Sequence, residues 1–262
     1  AHTMGGEVSG TIDESIRHAV TKFAHIHFPA CSDAAERIKK LGESPESIHN
    51  VGCPRMDLVK EELERDLVPE DDEWLKRGVG SAVELDKPFL LVSQHPVTTE
   101  YGSGRHQIES TLKAVHKIGV PVIVLWPNAD AGSEDIARGI RVLREYSDTS
   151  HMHFFKNLPI HVYIQLMKRT ACLVGNSSSG IREGAFIGTP VVNIGSRQQG
   201  RQCGKNVIHV PHETDQIADA IKTQMEHGHY GHQPIYGDGS AGMQIADILS
   251  SCEWKIQKRI TY

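Results

Sequence analysis

The loop at residues 175–183, with the sequence GNSSSGIRE, combines the residue types best suited to holding a phosphate. It follows the apolar run 171–174, so a strand is expected to end there and a helix to begin. Small residues leave backbone N–H groups accessible, while the serine hydroxyls and the positive end of a helix dipole attract anions. Glu183, one turn further on, is a suitable acceptor for sugar hydroxyls. The pattern predicts a site for the diphosphate and ribose of a nucleotide. The alternative is an ordinary capped helix start, which does not explain the density of glycine.

Two further polar loops follow predicted strands, at Gln94-His95-Pro96 and at 127–130. Open parallel α/β sheets bind ligands at the carboxyl ends of their strands, so both loops are expected near the serine loop. His95 stands before a proline, and its ring is predicted to point into a cleft; a core histidine is the alternative. Arg197 follows a strand and a glycine, a position that suits a pyrophosphate, with a surface salt bridge as the alternative.

The elements that position these loops alternate regularly after about residue 86. Continuous apolar strands that alternate with helices predict a parallel sheet covered on both faces, and therefore an α/β fold. Strands are predicted at 89–93, 120–125, 151–155, 171–174, 191–194 and 207–210, and helices over 108–118, 134–145, 160–168, from 181, and over 215–227.

The first 65 residues have a different pattern, with predicted helices over 12–23 and 32–40 and short strands near 25–28 and 48–51. Two strands cannot bury their own helices stably, so this region is predicted to be the C-terminal part of a first domain that is only partly present. The charged stretch 61–88, with an acidic run at 70–73, is the expected boundary. The predicted organisation is 1–65, a second domain over 66–240, and a C-terminal helix in 241–262.

Composition narrows the classes of function. The 262 residues are 39% hydrophobic and 23% charged with a net charge of -5, which describes a soluble globular protein without a broad basic face. Neither nucleic acid nor a membrane is therefore an expected partner. Five cysteines without a C-x-x-C pair indicate a reducing compartment, the cytoplasm. Sixteen histidines include several close pairs, but no carboxylate or thiolate completes a metal-ligand set, so no metal is expected.

Five segments in register resemble the hydrolysing UDP-N-acetylglucosamine 2-epimerases, most closely the branch of sialic and legionaminic acid biosynthesis. The resemblance runs in order over nearly the whole chain. The segments are 5–18 (GGEVSGTIDESIRH), 94–99 (QHPVTT), 127–133 (PNADAGS), the serine loop, and 188–198 (GTPVVNIGSRQ).

The resemblance implies two Rossmann-like domains of the glycosyltransferase-B type, with the sugar nucleotide in the cleft between them. The implied enzyme converts UDP-N-acetylglucosamine to N-acetylmannosamine and UDP. Elimination of UDP across C1 and C2 gives a 2-acetamidoglucal, to which water adds. No metal, nicotinamide or flavin cofactor is implied, and a homodimer or homotetramer is expected.

The resemblance also implies roles for individual residues. Asp13 matches a catalytic acid/base carboxylate, and Arg17 lies on the same helix face, where it would keep that carboxylate ionised. A helix-capping role is the alternative for Asp13, and Glu14 or Ser15 could share it. His95 is expected to act in catalysis as well as binding, and His2, Glu7 and Arg17 to lie on the sugar side. The implied UDP pocket comprises His95, Asn128, Leu158 through its backbone, Ser177, Ser178, Glu183 and Arg197.

One position departs from the family pattern. Close relatives have His-x-Glu-Gly-Gly where this chain has His2-Thr3-Met4-Gly5-Gly6. A thioether cannot carry a proton, so one acid/base function is missing or moved. Glu7 is expected to substitute only if the loop folds differently.

Other functions fit the same motifs. They are a hydrolysing epimerase of a nucleotide-linked diacetamido sugar, a glycosyltransferase of the same fold, and a sugar-nucleotide-binding relative without turnover. The GGEVSG and QHPVTT segments favour an epimerase over a transferase.

Overall fold

The computed structural model describes residues 1–9, 12–65, 73–74, 76–253, 257–259 and 261. Gly10 and Thr11 of the first motif and the acidic residues at 70–72 lie outside the described residues. Residues 254–256, 260 and 262 of the predicted C-terminal helix also lie outside them. None of the described helices combines the length and apolarity that crossing a bilayer requires.

A seven-stranded sheet forms the centre of the fold, in the order β1-β4-β3-β2-β5-β6-β7. All neighbours pair in parallel except β1, which runs antiparallel to β4 at one edge. The predicted parallel α/β sheet is confirmed, whereas the edge strand β1 was not predicted. The strands are β1 (Val79–Gly80), β2 (Leu90–Ser93), β3 (Val122–Leu125), β4 (Met152–Phe155), β5 (Cys172–Gly175), β6 (Val191–Ile194) and β7 (Val207–Val210).

Helices cover both faces of the sheet, because successive strand residues point to opposite sides. Leu90 and Val92 pack with side chains of the helices at 104–118, 133–146 and 214–227. Leu91 packs on the other face against the helix at 160–169. The described helices are α1 (Asp13–Phe23), α2 (Ser32–Lys40), α3 (Pro54–Leu63), α4 (Gly104–Ile118), α5 (Ser133–Tyr146), α6 (Ile160–Arg169), α7 (Ser178–Ile181), α8 (Glu183–Ile187), α9 (Thr214–His227) and α10 (Ala241–Ser251).

The strand order reverses between β2 and β5. From β2 the chain proceeds to β3 and β4 on one side, and then returns to build β5, β6 and β7 on the other. The connections after β2 and β5 therefore leave the sheet in opposite directions and open a crevice between the two strand ends. Such a point is where doubly wound sheets bind their ligands.

The prediction of a helix from residue 181 is wrong about where the helix begins and about its being continuous. It begins at Ser178 and is divided into α7 and α8 at Arg182, which has ψ -69°. Gly180 and Gly184 both lie against Val191, where an added Cβ would be 2.9 Å and 3.4 Å from its methyl groups. Glycine is a poor helix former, and two of them within five residues permit the bend.

The strands predicted near 25–28 and 48–51 are single bridges rather than strands. His27 pairs in parallel with His2 on one side and with Ile48 on the other. Pro29, two residues after His27, has no backbone N–H to donate to a ladder. Gly52, with φ +88°, turns the chain towards Gly237, leaving no room for a longer pairing.

The N-terminal residues pack directly against the sheet domain and against α10. Ala34 of α2 and Met56 of α3, a helix that was not predicted, share a core with Ile164 and Phe186 of the sheet domain. A second core joins Phe28 and its neighbours to α10. Helix α10 ends at Ser251. The division of the chain at residues 65 and 240 stays a prediction.

Gly175, the last residue of β5, is the position where a side chain would disturb the crevice most. It has φ +138°, and a Cβ there would lie 2.1 Å from the Ser93 carbonyl oxygen at the end of β2. We predict that Gly175→Ala lowers the free energy of unfolding by more than about 2 kcal/mol, since it combines backbone strain with a backbone clash. Urea denaturation measures the change.

Gly119 provides the matched control, because it also has a positive φ, +75°, but nothing lies within 4 Å of its added Cβ. Gly119→Ala is expected to cost only about 1 kcal/mol. Equal losses in the two variants would contradict the importance of the close approach between β2 and β5.

Candidate active site

Asn176 links the two segments of the chain that follow β2 and β5. Its side chain is fully buried; Oδ1 accepts a hydrogen bond from the His95 backbone N–H at 2.7 Å, and Nδ2 donates to the His95 carbonyl at 2.8 Å. The Asn176 backbone N–H also donates to the Ser93 carbonyl at 3.2 Å. These bonds continue the pairing of the two strands past the ladder itself. The histidine and serine loops therefore start from a fixed separation.

The His95 ring is held in one tautomer. The backbone N–H of Asn128 donates to Nδ1 at 3.1 Å, so this nitrogen is an acceptor and the proton resides on Nε2. Burial, reinforced by the positive charge of Arg197, lowers the pKa of His95 to about 4. Near neutral pH the ring is therefore an uncharged N–H donor. This geometry favours a binding role, and the predicted catalytic role stays a prediction.

Arg197 reaches the same crevice from the loop after β6. Its Nη2 donates to Asp130 Oδ2 at 3.3 Å, and its Nη1 to the Asn176 carbonyl at 3.4 Å. Asp130 also accepts a bond from Asn128 Nδ2 at 2.6 Å. Among the described residues, Arg197 Nε has no hydrogen-bond partner although it is buried. The guanidinium is thus oriented by the protein and keeps donor capacity for a ligand.

The predicted serine loop opens on this crevice with Ser177 and Ser178 partly exposed. Ser177 caps α7, its Oγ accepting weakly from the Ser179 N–H at 3.4 Å, and Ser178 Oγ lies 3.5 Å from Arg182 Nη2. Because α7 has only four residues, its dipole is small. The hydroxyls, rather than the predicted helix dipole, supply the attraction for an anion.

Glu183, the predicted ribose acceptor, is buried rather than open. Its Oε1 accepts from Arg55 Nε at 3.3 Å, and its Oε2 lies 3.8 Å from Arg182 Nε. Within the described part of the chain, Oε2 has no hydrogen-bond partner. One carboxylate oxygen is therefore structural, and the other retains capacity to accept. The contact with a ribose stays a prediction.

Glu7 is enclosed by arginines of the sheet domain. Its two carboxylate oxygens lie 3.2 Å from Arg201 Nη2 and 3.8 Å from Arg182 Nη1, and the residue is only 4% exposed. Gly6 allows this placement, since its φ is +71° and a Cβ there would lie 2.0 Å from the Ala34 carbonyl oxygen. The loop therefore holds Glu7 in an ion pair, and its expected place on the sugar side stays a prediction.

Helix α1 carries Asp13 and Arg17 on the other side of the site. Asp13 is the first residue of α1 and is exposed, and it lies close enough for its charge to act on both Arg17 and Arg197. Arg17 Nη2 donates to Ser9 Oγ at 2.6 Å. The structure thus places a carboxylate of the N-terminal region near the guanidinium that also interacts with Asp130.

The remaining predicted residues have simpler surroundings. His2 lies beside Thr21, with Nδ1 3.4 Å from its Oγ1, and burial lowers the pKa of His2. The backbone N–H of Leu158 donates to Asn157 Oδ1 at 2.9 Å, so only its carbonyl is left to reach a base. Met4 is partly buried.

Several residues that organise the site were not predicted as site residues. Their types are common in loops, and their partners are distant in the sequence, so no local pattern marks them. The one available signal was position, since most of them stand within or directly beside the predicted motifs. They are Asn176, Asp130, Arg201, Gln198, which donates to the Asn176 carbonyl at 2.8 Å, and Tyr163, which bonds Ser179 at 2.6 Å.

Comparison with known proteins agrees with this architecture. A family model described as UDP-N-acetylglucosamine 2-epimerase matches residues 1–250. A UDP-N-acetylglucosamine 2-epimerase of Neisseria meningitidis serogroup B is 32% identical, the alignment covering 98% of this chain and 67% of the relative. A UDP-N,N'-diacetylbacillosamine 2-epimerase (hydrolyzing) of Legionella pneumophila is 33% identical over 95% of this chain and 64% of its own.

A solved structure of the Neisseria meningitidis UDP-GlcNAc 2-epimerase bound to UDP-GlcNAc superimposes with a TM-score of 0.78. The superposition covers 96% of this chain and 69% of that one, with 15% of the structurally aligned residues identical. The fold is an α/β fold of the glycosyltransferase-B type, as predicted. The chain belongs to the UDP-N-acetylglucosamine 2-epimerase family.

The buried ion pair of Glu7 yields a stability prediction. Glu7→Gln leaves the guanidinium groups of Arg201 and Arg182 without that counter-charge in a buried setting, so we expect a loss of about 3 kcal/mol in unfolding free energy. The surface pair Glu84–Lys87, 2.7 Å apart and exposed, gives the control. Glu84→Gln is expected to leave the urea midpoint unchanged. A Glu7→Gln midpoint equal to that of the parent would contradict a structural role for the pair.

The lowered pKa of His95 predicts a pH dependence. The unfolded chain takes up a proton near pH 6.5 and the folded protein only near 4, so unfolding free energy falls as pH drops between these values. His95→Gln keeps a donor but removes the titration. When the pH falls from about 7 to 4, the unfolding free energy of the variant should therefore decrease by on the order of 2 kcal/mol less than that of the parent. Parallel pH profiles in denaturant titrations would contradict the buried, neutral state.

Proposed function

We propose that the protein is a hydrolysing 2-epimerase that converts UDP-N-acetylglucosamine to N-acetylmannosamine and UDP. The observation that carries the proposal is that the charge of Asp13 acts on Arg197, whose crevice also holds His95 and the serine loop. A carboxylate beside an anion site is what an elimination that expels a diphosphate requires. The name and fold of the Neisseria relative support the choice of reaction.

In the first step Asp13 takes the proton from C2 of the sugar. The C2–H electron pair forms the C1=C2 double bond, and the C1–O bond breaks with its electrons leaving on the diphosphate. Arg197 and the Ser177 hydroxyl are the donors available to stabilise the developing negative charge. Arg17 lies one turn further along α1, close enough for the charge of Asp13 to act on it.

In the second step water adds to the glycal. The hydroxyl joins C1, and a proton is delivered to C2 on the face opposite to the one from which the first proton left. The configuration at C2 is thereby inverted, giving the manno product. This step needs a second proton-carrying group on the sugar side, which Met4 is unable to supply.

Met4 and the paired Glu7 favour one second candidate, a sugar-nucleotide-binding relative without turnover. The two functions share the UDP pocket and differ only in chemistry at C2. A third possibility concerns the sugar, because the Legionella pneumophila relative carries the name of a diacetylbacillosamine epimerase. The diacetamido sugar carries an acetamido group in place of the C4 hydroxyl and lacks the C6 hydroxyl, and both differences lie away from C1 and C2.

Incubation with each nucleotide sugar in heavy water separates these functions. The proposed reaction releases UDP and gives N-acetylmannosamine with deuterium at C2. Turnover of only the diacetamido nucleotide would replace the proposed substrate while keeping the reaction. UDP binding by calorimetry with both substrates intact would establish the non-catalytic relative and overturn the proposed enzyme.

Asp13→Asn tests the assigned base. We expect turnover to fall by roughly a hundredfold to ten-thousandfold, the range for general acid–base groups, with UDP affinity changed little. Asp33→Asn is the matched control, since Asp33 also stands in the first turn of a helix, α2, four residues before an arginine. Its activity should equal that of the parent. Retained turnover in Asp13→Asn would assign the proton transfer elsewhere.

A further inference from the structure

Beneath the serine loop, a row of hydroxyl groups extends from the sheet to Ser177. The Tyr163 hydroxyl of α6 lies 2.6 Å from Ser179 Oγ, which lies 2.8 Å from Ser177 Oγ. Ser93 and Ser177 also lie close enough to the Tyr163 hydroxyl to affect its pKa, and His95 Nε2 lies 3.4 Å from Ser93 Oγ. The hydroxyls of Tyr163, Ser179 and Ser177 thus form one connected series that ends at a partly exposed serine.

The tautomer of His95 gives this series a direction. Since Nδ1 accepts from the Asn128 backbone, Nε2 carries the proton and donates to Ser93. A hydroxyl has a single proton, so a serine that accepts at one end passes its own proton onward. Donation from His95 to Ser93 then favours an order in which Tyr163 donates to Ser179 and Ser179 donates to Ser177.

At the end of the series Ser177 has little acceptor capacity left. Its oxygen accepts from the Ser179 hydroxyl at 2.8 Å and from the Ser179 backbone N–H at 3.4 Å, and these use both lone pairs. Its proton is the remaining hydrogen-bonding capacity, and the side chain is partly exposed to the crevice. A group restricted to donation matches a ligand oxygen that only accepts, such as that of an ionised phosphate.

We propose that Tyr163 is a positioning residue that holds Ser177 as a hydrogen-bond donor to a diphosphate oxygen of the substrate. The inference rests on the proposed nucleotide-sugar function and adds to it a residue that does not touch the substrate. Burial raises the pKa of Tyr163 to about 12, so the phenol keeps its proton at neutral pH. Without that proton Ser179 could turn towards Tyr163 and withdraw from Ser177.

Tyr163→Phe tests the proposal, because it removes one oxygen and leaves the ring in the core. Calorimetry with UDP and with uridine separates an effect on the phosphate from an effect on the pocket. We expect UDP affinity to fall about tenfold, in line with one hydrogen bond to a charged group, and uridine affinity to stay the same. In turnover, KM for the nucleotide sugar should rise while kcat changes less.

Two further variants make the result specific. Ser179→Ala interrupts the same series, so the double variant Tyr163→Phe/Ser179→Ala should lose no more UDP affinity than either single variant. Tyr230→Phe is the matched control, since its hydroxyl bonds Gln224 of α9 at 2.7 Å, and it should bind UDP like the parent.

Each of the following results would overturn the positioning role of Tyr163. Unchanged UDP affinity in Tyr163→Phe, or equal losses for UDP and uridine, overturns the positioning role while leaving the proposed function in place. Additive losses in the double variant also overturn it, because the two residues would then act separately. Failure of the parent protein to bind UDP overturns the proposed function and this inference together.

Discussion

The hydrogen bonds between the Asn176 amide and the His95 backbone are the constraint on which the site depends. They hold the loops after β2 and β5 together at the point where the sheet changes direction. Gly175 makes this approach possible by presenting no side chain to Ser93. The carbonyl of Asn176 then receives Arg197 and Gln198 from the loop after β6. One buried asparagine therefore relates three loops, each from a different strand.

Charge is distributed in the site so that arginines have partners on one side and spare donors on the other. Arg182 and Arg201 are held by Glu7, and Arg197 by Asp130. Pairing offsets part of the energy that burying these cations requires. The two pairs of Glu7 also connect the N-terminal residues to the sheet domain. Anchoring the N-terminal region and preparing an anion site thus use the same side chains.

The order of elements after residue 86 could be predicted because its signals are local: apolar runs give strands, and glycine-rich ends give the loops between them. The position of His95, Arg197 and Ser177 followed, since parallel strands gather their carboxyl ends at one edge. The break at Arg182 and the confinement of Glu7 could not be predicted. Each depends on packing against residues far away in the sequence, Val191 for the glycines and Arg201 for the carboxylate.

Helix α10 has a consequence for the order in which the molecule assembles. It covers Ile26, Phe28 and Val51, while Lys258 beyond it donates to the carbonyls of Thr21, Lys22 and Ala24 where α1 ends. These partners leave the ribosome about two hundred residues apart, and contacts of such separation form slowly. The sheet domain can complete its core while α1 still lacks this cover. The end of α1 is therefore enclosed later than the sheet domain, although it precedes that domain in the sequence.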